Sequence, residues 1–351
     1  SQTAPDNEDK SRRTLHFRLP VRRFLSGRLR PLPFHKGADS GVTKEIRTIG
    51  MQKKRCNKSL YAKPFLKWAG GKTQLLHEIS NALPHDFAER YTTYVEPFVG
   101  GGSVLFWILR NFPNITHAVI NDINPKLIST YRTVKNKPEE LIYELGRLQN
   151  EYLALNAEAR KTYFLDKRSL FNENRLDETT LSAIFIFLNR TCFNGLYRVN
   201  SKGEFNVPHG RYTRPLICDE STIKADSELL QRVEILNGDF ARTISHAKKH
   251  TLFYLDPPYK PLNKTSSFNS YSNEDFDDKQ QIRLRDFCNE ISDKECDFIL
   301  SNSDMKNTDP ENYFFDDLYK SFNIKRVFAS RAVNSKADKR GKLTELLISN
   351  T

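Results

Sequence analysis

The chain has 351 residues, 38 % of them apolar, enough for one large domain or two with a sizeable core. It contains no run of about 18 apolar residues, which excludes a membrane-spanning helix. The formal net charge of +12 suits a polyanionic partner, although charge alone does not name one.

The charge is concentrated at the amino end. Residues 1–50 carry eleven Lys/Arg against five Asp/Glu, with scattered Pro and Gly and little apolar periodicity. Such a stretch cannot bury enough apolar surface to fold, so residues 1–57 are expected to be a basic, disordered extension. It lacks the apolar core of a secretory signal, and the acidic DNED near its start argues against an Arg-rich targeting peptide. Met51 and Met305 are the two methionines; Met51 fits a natural start, with residues 1–50 as upstream sequence, and a DNA-binding tail is the other reading.

"KWAGGKTQLL", Lys67–Leu76, resembles a nucleotide-triphosphate loop. The phosphate-loop pattern demands glycine where Leu66 stands, and Trp68 lies where phosphate should sit, so ATP hydrolysis is disfavoured. "TTYVEPF" then reads as a short buried strand ending at Glu96. "VGGGSVLFWILRNF" gives a glycine turn and an apolar helix, and "HAVINDI" a second strand ending at Asp122. Short strands alternating with helices imply a parallel sheet. From Pro138 to about Asn174 the sequence is helical and highly charged, and "DETTLSAIFIFLNRT" is a helix with an acidic first turn and a long apolar face. In "GLYRVNSKGEFNVPHGRY" two short runs flank the turn residues NSKG, the pattern of a β-hairpin. Strands resume near Val233, with "TLFYLDPPY", "DFILSNSD" and "LTELLISN". The reading is one α/β domain interrupted by a helical insert carrying a basic hairpin. The five cysteines are widely spaced, without a C-x-x-C pair, and no H-E-x-x-H occurs. That favours reduced thiols over a disulfide framework or a zinc site, and no metal is expected.

Two places carry chemistry. Gly100 and Gly102 follow a strand and open a helix, where glycine lets the backbone approach a ligand closely. The third glycine of a dinucleotide fingerprint would be at Leu105, which weakens a pyrophosphate reading. Asp122 ends the next strand, where a carboxylate accepts bonds from ribose hydroxyls, so an adenosine-containing ligand without phosphates fits. A tight turn with a helix-capping Asp is the alternative. In "LDPPYKPL", Pro257 and Pro258 end a strand in a rigid turn and leave Asp256 at its carboxyl end. Asp256 and the Pro257 carbonyl can accept bonds from an exocyclic amine, and Tyr259 offers a flat face to a base. A proline turn with a solvated Asp is the alternative here.

"FLKWAGGK", "EPFVGGGS", "NDIN", "NGLYRVNSKGEFNVPHGRY" and "DPPY" occur in that order. Together, from about Lys63 to the end of the chain, they resemble the Dam-type (D12 class) family of DNA adenine-N6 methyltransferases. The resemblance implies a Rossmann-like sheet that binds S-adenosylmethionine, formed by residues 58–137 and 230–351, with an inserted, mainly helical target-recognition domain at 138–229. It implies cofactor contacts at Trp68, Lys72, Glu96, Phe98, Gly100, Gly102, Asp122, Asp239, Phe240 and Asp256, and catalysis at Asp256, Pro257, Pro258 and Tyr259. Gly101 stands where the family carries another small residue, a variation expected to be harmless. The resemblance further implies DNA contacts at Lys67, Leu196, Arg198, Pro208 and Tyr212 and filling of a flipped-out gap by Phe193 and Asn194. Phe193 stands where relatives often have Tyr, and either ring can stack. These matches imply methylation of adenine in duplex GATC, with cytosine N4 or RNA as the alternative target. Arg190, Lys202, Arg211 and Arg214 are read as phosphate contacts or a solvated face, and Lys339, Arg340 and Lys342 as a surface loop. A non-catalytic DNA-binding module is a further reading, disfavoured because no site residue is lost. The same resemblance implies a monomer working in the cytoplasm on the nucleoid, of bacterial or phage type. It leaves open a cognate restriction endonuclease acting separately.

Overall fold

The structure, a computed structural model, describes residues 61–173, 175–260, 276–329 and 343–351. The extension expected over residues 1–57, with Met51 and Cys56, and the basic trio Lys339, Arg340 and Lys342 lie outside those residues. The described chain begins with a short irregular run and one 3-10 turn, Lys72–Gln74, followed by α1 (Leu76–Ala82) and α2 (Phe87–Arg90). Next come β1 (Thr93–Glu96), α3 (Ser103–Asn111), β2 (His117–Asp122) and α4 (Pro125–Asn136). A helical stretch follows: α5 (Pro138–Ala154), α6 (Ala157–Asn172), α7 (Glu178–Thr191) and, after an irregular excursion, α8 (Glu220–Leu230). The chain then returns to the sheet through β3 (Val233–Asn237), β4 (Thr251–Leu255), α9 (Asp278–Asp293), β5 (Asp297–Ser303), α10 (Phe314–Leu318), β6 (Asn323–Ala329) and β7 (Leu343–Ser349).

Among the described residues the strands form one sheet in the order β3-β2-β1-β4-β5-β7-β6. β1 to β5 are mutually parallel, as crossover helices require. β7 is antiparallel to both β5 and β6, so the sheet is mostly parallel, with the α/β class expected from the sequence and a reversed strand inserted next to its edge. β6 was not foreseen: it interleaves Lys325 and Arg326 with apolar residues, as befits a strand at the sheet's edge, and so lacks the apolar run that marked the others. The period of two sorts side chains to opposite faces. Tyr94, Ala118, Ile120, Leu252, Tyr254, Ile299 and Leu347 join the core beneath α3, α4 and the helical stretch. Val95, Val119, Phe253, Leu255, Phe298, Leu300, Leu346 and Ile348 join the core beneath α9 and α10.

The helical stretch is organised by α7. Asp177 caps it, accepting from the Thr179 and Thr180 backbone N–H groups at 3.0 Å each, a bond whose loss costs about 1 kcal/mol. Residues Ser182 to Asn189 are all buried because α4, α5 and α6 pack around them. Beyond α7 the expected hairpin is present only in outline. Val199 and Phe205 form a single antiparallel bridge around the Asn200–Gly203 turn, and a second bridge joins Cys192 to His209. The Asn200 side chain accepts the Lys202 and Glu204 N–H groups, closing the turn through a side chain in place of a longer ladder.

Asp226, on α8, ties the start of the described chain to this layer: it is fully buried and its Oδ1 accepts the Lys63 N–H at 3.0 Å. Burial outweighs its cationic neighbours and pushes the carboxyl up to about 9. A carboxyl that keeps its proton when folded, and loses it when unfolded, weakens the fold as pH climbs from the ordinary carboxylate range toward that value. Asp226→Asn keeps an acceptor for Lys63 and has no proton to lose. Urea titrations should therefore find the variant level with the parent near pH ~4 and more stable near pH ~8. Equal stability at both would show that Asp226 is ionised in the folded chain.

Candidate active site

The carboxyl ends of parallel strands are where open α/β sheets place ligands. Asp256 follows β4 at that edge, and the prolines behind it prevent the strand from continuing. Pro257 is buried and Pro258 exposed, and the Gln281 side chain on α9 reaches the Pro258 carbonyl at 3.5 Å. The Lys72 ammonium lies 3.0 Å from Asp256 Oδ1, 2.9 Å from the Gly70 carbonyl and 3.9 Å from Glu345 Oε2. It also stands 4.4 Å from the centre of the Tyr259 ring. The Tyr259 hydroxyl donates to Glu345 at 2.7 Å. Burial pushes the Asp256 carboxyl up to about 6, with Lys72 pulling against it and Glu345 adding to it.

Glu345 escaped the sequence reading. Because β7 runs against its neighbours, its first residues, not its last, arrive at the edge where β4 and β5 end. The available signal was an acid inside "LTELLI", on the face that Leu347 buries. Lys72 itself is 5 % exposed, and among the described residues no strand leads into its turn. The strand–loop–helix cradle of a phosphate loop is therefore absent there, in line with the misfit at Leu66.

The glycine turn after β1 forms the next wall. Gly100 and Gly102 have φ of +49° and +74°, left-handed values that a side chain resists. Gly100 N–H donates to Asp122 Oδ2 at 3.1 Å and Asn124 N–H to Asp122 Oδ1 at 2.9 Å. Asp122 thus ties two turns together, and each of its oxygens retains a lone pair. Its burial raises the carboxyl above the ordinary range, opposed by those bonds. Trp68 lies against the turn: a methyl on Gly100 would come 2.9 Å from its ring, and one on Gly101 2.7 Å from its Cβ. The absence of a side chain at Gly101 is therefore tied to where Trp68 sits: a Cβ there would require Trp68 to shift. Trp68 stacks on Tyr197 with ring centres 5.3 Å apart.

Glu96, at the end of β1, is buried and accepts from the Tyr94 hydroxyl at 2.7 Å. Burial above all, with Asp256 nearby, lifts its carboxyl well above the ordinary range. Phe98 packs against Phe240 at 5.2 Å. Asp239, which caps the turn after β3, is held by both Arg283 nitrogens at 2.5 and 2.7 Å, and that pairing keeps its carboxyl low. The edge thus combines a cation, buried carboxyls, a glycine turn and aromatic rings, a set that fits a nucleoside bearing a charged amino-acid tail.

The segment after α7 lies beside this edge. Asn189, buried on α7, accepts the Lys67 N–H at 2.8 Å and donates to the carbonyls of Lys67 at 2.8 Å and Gly195 at 3.0 Å. Gly195 fits against the Lys67 side chain, where any Cβ would clash, and Lys67 reaches over the Tyr212 ring at 5.1 Å. Phe193 is half-exposed and its N–H donates to the Pro208 carbonyl at 2.8 Å. Asn194 takes a left-handed φ of +54° at the tip, and Leu196 is partly buried. Arg198 is exposed, with Nε on the Asn206 side chain at 2.8 Å. Lys202, Arg211 and Arg214 are exposed as expected, whereas Arg190 turns inward and donates to the Phe65 carbonyl at 2.8 Å. A phosphate contact or solvated face does not describe Arg190.

A family model described as D12 class N6 adenine-specific DNA methyltransferase matches residues 68–333. The type II methyltransferase M.MjaIII of Methanocaldococcus jannaschii is 50 % identical over 292 residues, covering 82 % of this chain and 99 % of the relative. The type II methyltransferase M1.LlaDCHI of Lactococcus lactis subsp. cremoris is 40 % identical over 305 residues, covering 86 % and 98 %. A DNA adenine methylase of Haemophilus influenzae is 34 % identical over 297 residues, covering 84 % and 96 %. The chain therefore belongs to the D12 class of N6 adenine-specific DNA methyltransferases.

Proposed function

We propose that the chain transfers a methyl group from S-adenosylmethionine to N6 of an adenine flipped out of duplex DNA, within GATC. The observation that carries this reading is a largely buried carboxyl, Asp256, fixed by two prolines beside the Tyr259 ring. An adenine amine is conjugated with its ring and is a poor nucleophile, and inside a duplex it is inaccessible. Asp256 and the Pro257 carbonyl hold the amine so that its lone pair is available, and Tyr259 stacks on the base. Pro258 stiffens the turn. Asp256 or water takes the proton.

Trp68, Lys72, Glu96, Phe98, Gly100, Gly102, Asp122, Asp239 and Phe240 hold the cofactor. Asp122 would accept from a ribose hydroxyl, and Lys72 would offer its charge to the amino-acid carboxylate. When bound, S-adenosylmethionine supplies a methyl group on an electrophilic sulfonium. Residues 138–229 read the DNA: Arg198 presents its guanidinium to guanine, the commonest specific base contact. Lys67, Leu196, Pro208 and Tyr212 flank the site, and Phe193 and Asn194 fill the gap left by the flipped base. The enzyme acts as a monomer in the cytoplasm, and any cognate restriction endonuclease acts separately.

Labelled methyl transfer to duplexes carrying GATC or GTAC tests this directly. Only GATC should be labelled, and Asp256→Ala should lower the rate by about a hundredfold or more. Arg198→Ala should erode discrimination at one base by about 1–3 kcal/mol. Equal labelling of both duplexes would remove the recognition assignment, and labelling of cytosine or RNA the target assignment. The Asp256 carboxyl is the stronger acceptor, and able to take up the amine's proton, only when ionised, and it stands at about 6. Single-turnover rates should therefore fall as pH drops through about 6. A rate constant that stays flat from pH ~5 to ~8 would contradict that role.

A further inference from the structure

Glu345 lies outside the five motifs quoted for the resemblance, in the late strand LTELLI, yet it touches two of the site's side chains. It accepts the Tyr259 hydroxyl at 2.7 Å and stands 3.9 Å from the Lys72 ammonium that Asp256 binds at 3.0 Å. Its own placement is firm. The neighbouring Thr344 hydroxyl donates to Asp304 at 2.7 Å, and Thr344 exchanges backbone bonds with the Asn307 side chain at 2.7 and 3.0 Å. Glu345 itself pairs in register with Ser303 of β5 and Val327 of β6. A carboxylate held on the strand next to β5, whose other neighbour is β4, is thus fixed relative to the Asp256–Tyr259 turn. The Tyr259 ring is pinned at its hydroxyl by Glu345 and covered on one face by Lys72.

We propose that Glu345 is a positioning residue for methyl transfer: it anchors the Tyr259 hydroxyl so that the ring keeps its place beside Asp256, and it shares Lys72 with that carboxylate. The proposal rests on the reading of Asp256–Tyr259 as the turn that holds the target amine. Without Glu345, the Tyr259 ring loses its tether and rotates about two free torsions. Of the protein's own carboxylates, Lys72 then keeps only Asp256, the one that must receive the substrate. Either change slows the chemical step and not the folding of the sheet.

The test is single-turnover methyl transfer to duplex DNA by the full chain, by Glu345→Ala, Glu345→Gln and Tyr259→Phe, and by the Glu345→Ala/Tyr259→Phe pair, across pH. Methylation by the parent chain and its loss in Asp256→Ala establish the underlying reading separately. We expect Glu345→Ala to lose about ten- to hundredfold in rate, the cost of a hydrogen bond to a charged group. Glu345→Gln keeps an acceptor for Tyr259 and should recover most of that loss. Glu345→Ala should cost less in the Tyr259→Phe background than alone, because both changes remove the same bond. The acid limb gives a readout that a merely structural role would not move. Asp256 is surrounded by Lys72, by Glu96 and Tyr94 of β1, by Tyr254 of β4, and by Tyr259 and Glu345. Of these, Glu345 is a negative charge that favours the protonated form, so Glu345→Gln should move the limb to lower pH. A Glu345→Ala rate within twofold of the parent would overturn the proposal. So would fully multiplicative losses in the pair, or a glutamine variant as slow as the alanine one with an unmoved limb.

Discussion

The contact on which the rest of the site depends is the buried pairing of Lys72 with Asp256. An ammonium withdrawn from water to 5 % exposure loses solvation worth several kcal/mol, and one carboxylate does not offset that unaided. The Gly70 carbonyl, the Glu345 carboxylate and the Tyr259 ring complete the shell. These groups arrive from the first turn of the described chain, the end of β4 and the start of β7. They meet only if β4 lies between β1 and β5 and β7 enters the sheet in reverse. The order of the strands and the electrostatics of the site are therefore one constraint. A sheet with β7 parallel would carry Glu345 to the opposite edge and leave Lys72 with half its anionic neighbours.

A second tie joins the site to the segment after α7. The backbone of Lys67 is held by Asn189, which also holds Gly195, so the turn that begins the "WAGGK" segment and the tip at Phe193–Gly195 share one buried amide. One residue further, Trp68 lies on the glycine turn and stacks on Tyr197. Through Lys67 and Trp68, a displacement at the tip has a packed route to the glycine turn and to Asp122 behind it. Under the proposed function, that route couples the grip on DNA to the shape of the cofactor wall.

The sequence made much of this legible, and the exceptions share a cause. β1, β2, β4 and β5 were readable because each is an apolar run bounded by turn residues, and Asp256 because two prolines fixed where its strand must stop. β6 was passed over because its edge position tolerates Lys325 and Arg326, which pair with acids on neighbouring segments: Arg326 with Asp304 and Asp316, Lys325 with Glu78. The hairpin was overdrawn because turn chemistry at Asn200–Gly203 is local, whereas the extent of a ladder depends on what packs behind it. Glu345 was invisible as a site residue because its partners Tyr259 and Lys72 are remote in sequence and β7's direction is not written in its own residues. Asn189 and Asp226 are of the same kind: buried polar groups whose meaning lies in a backbone far along the chain.

The distribution of charge explains how one surface can attract DNA and still present an acid to it. The chain carries a net +12, and Lys67, Arg198, Arg211 and Arg214 are exposed around the segment after α7. Inside, the balance reverses. Lys72 is shared by Asp256 and Glu345, and burial, with Asp256 nearby, lifts the Glu96 carboxyl well above the ordinary carboxylate range. A phosphate approaching the protein is drawn to the basic rim and repelled from the Asp256 carboxylate. Under the proposed function, a neutral base suffers no such repulsion and finds there an acceptor, Asp256, and a ring, Tyr259. The separation of a cationic perimeter from a carboxylate interior thus favours entry of a base over its backbone.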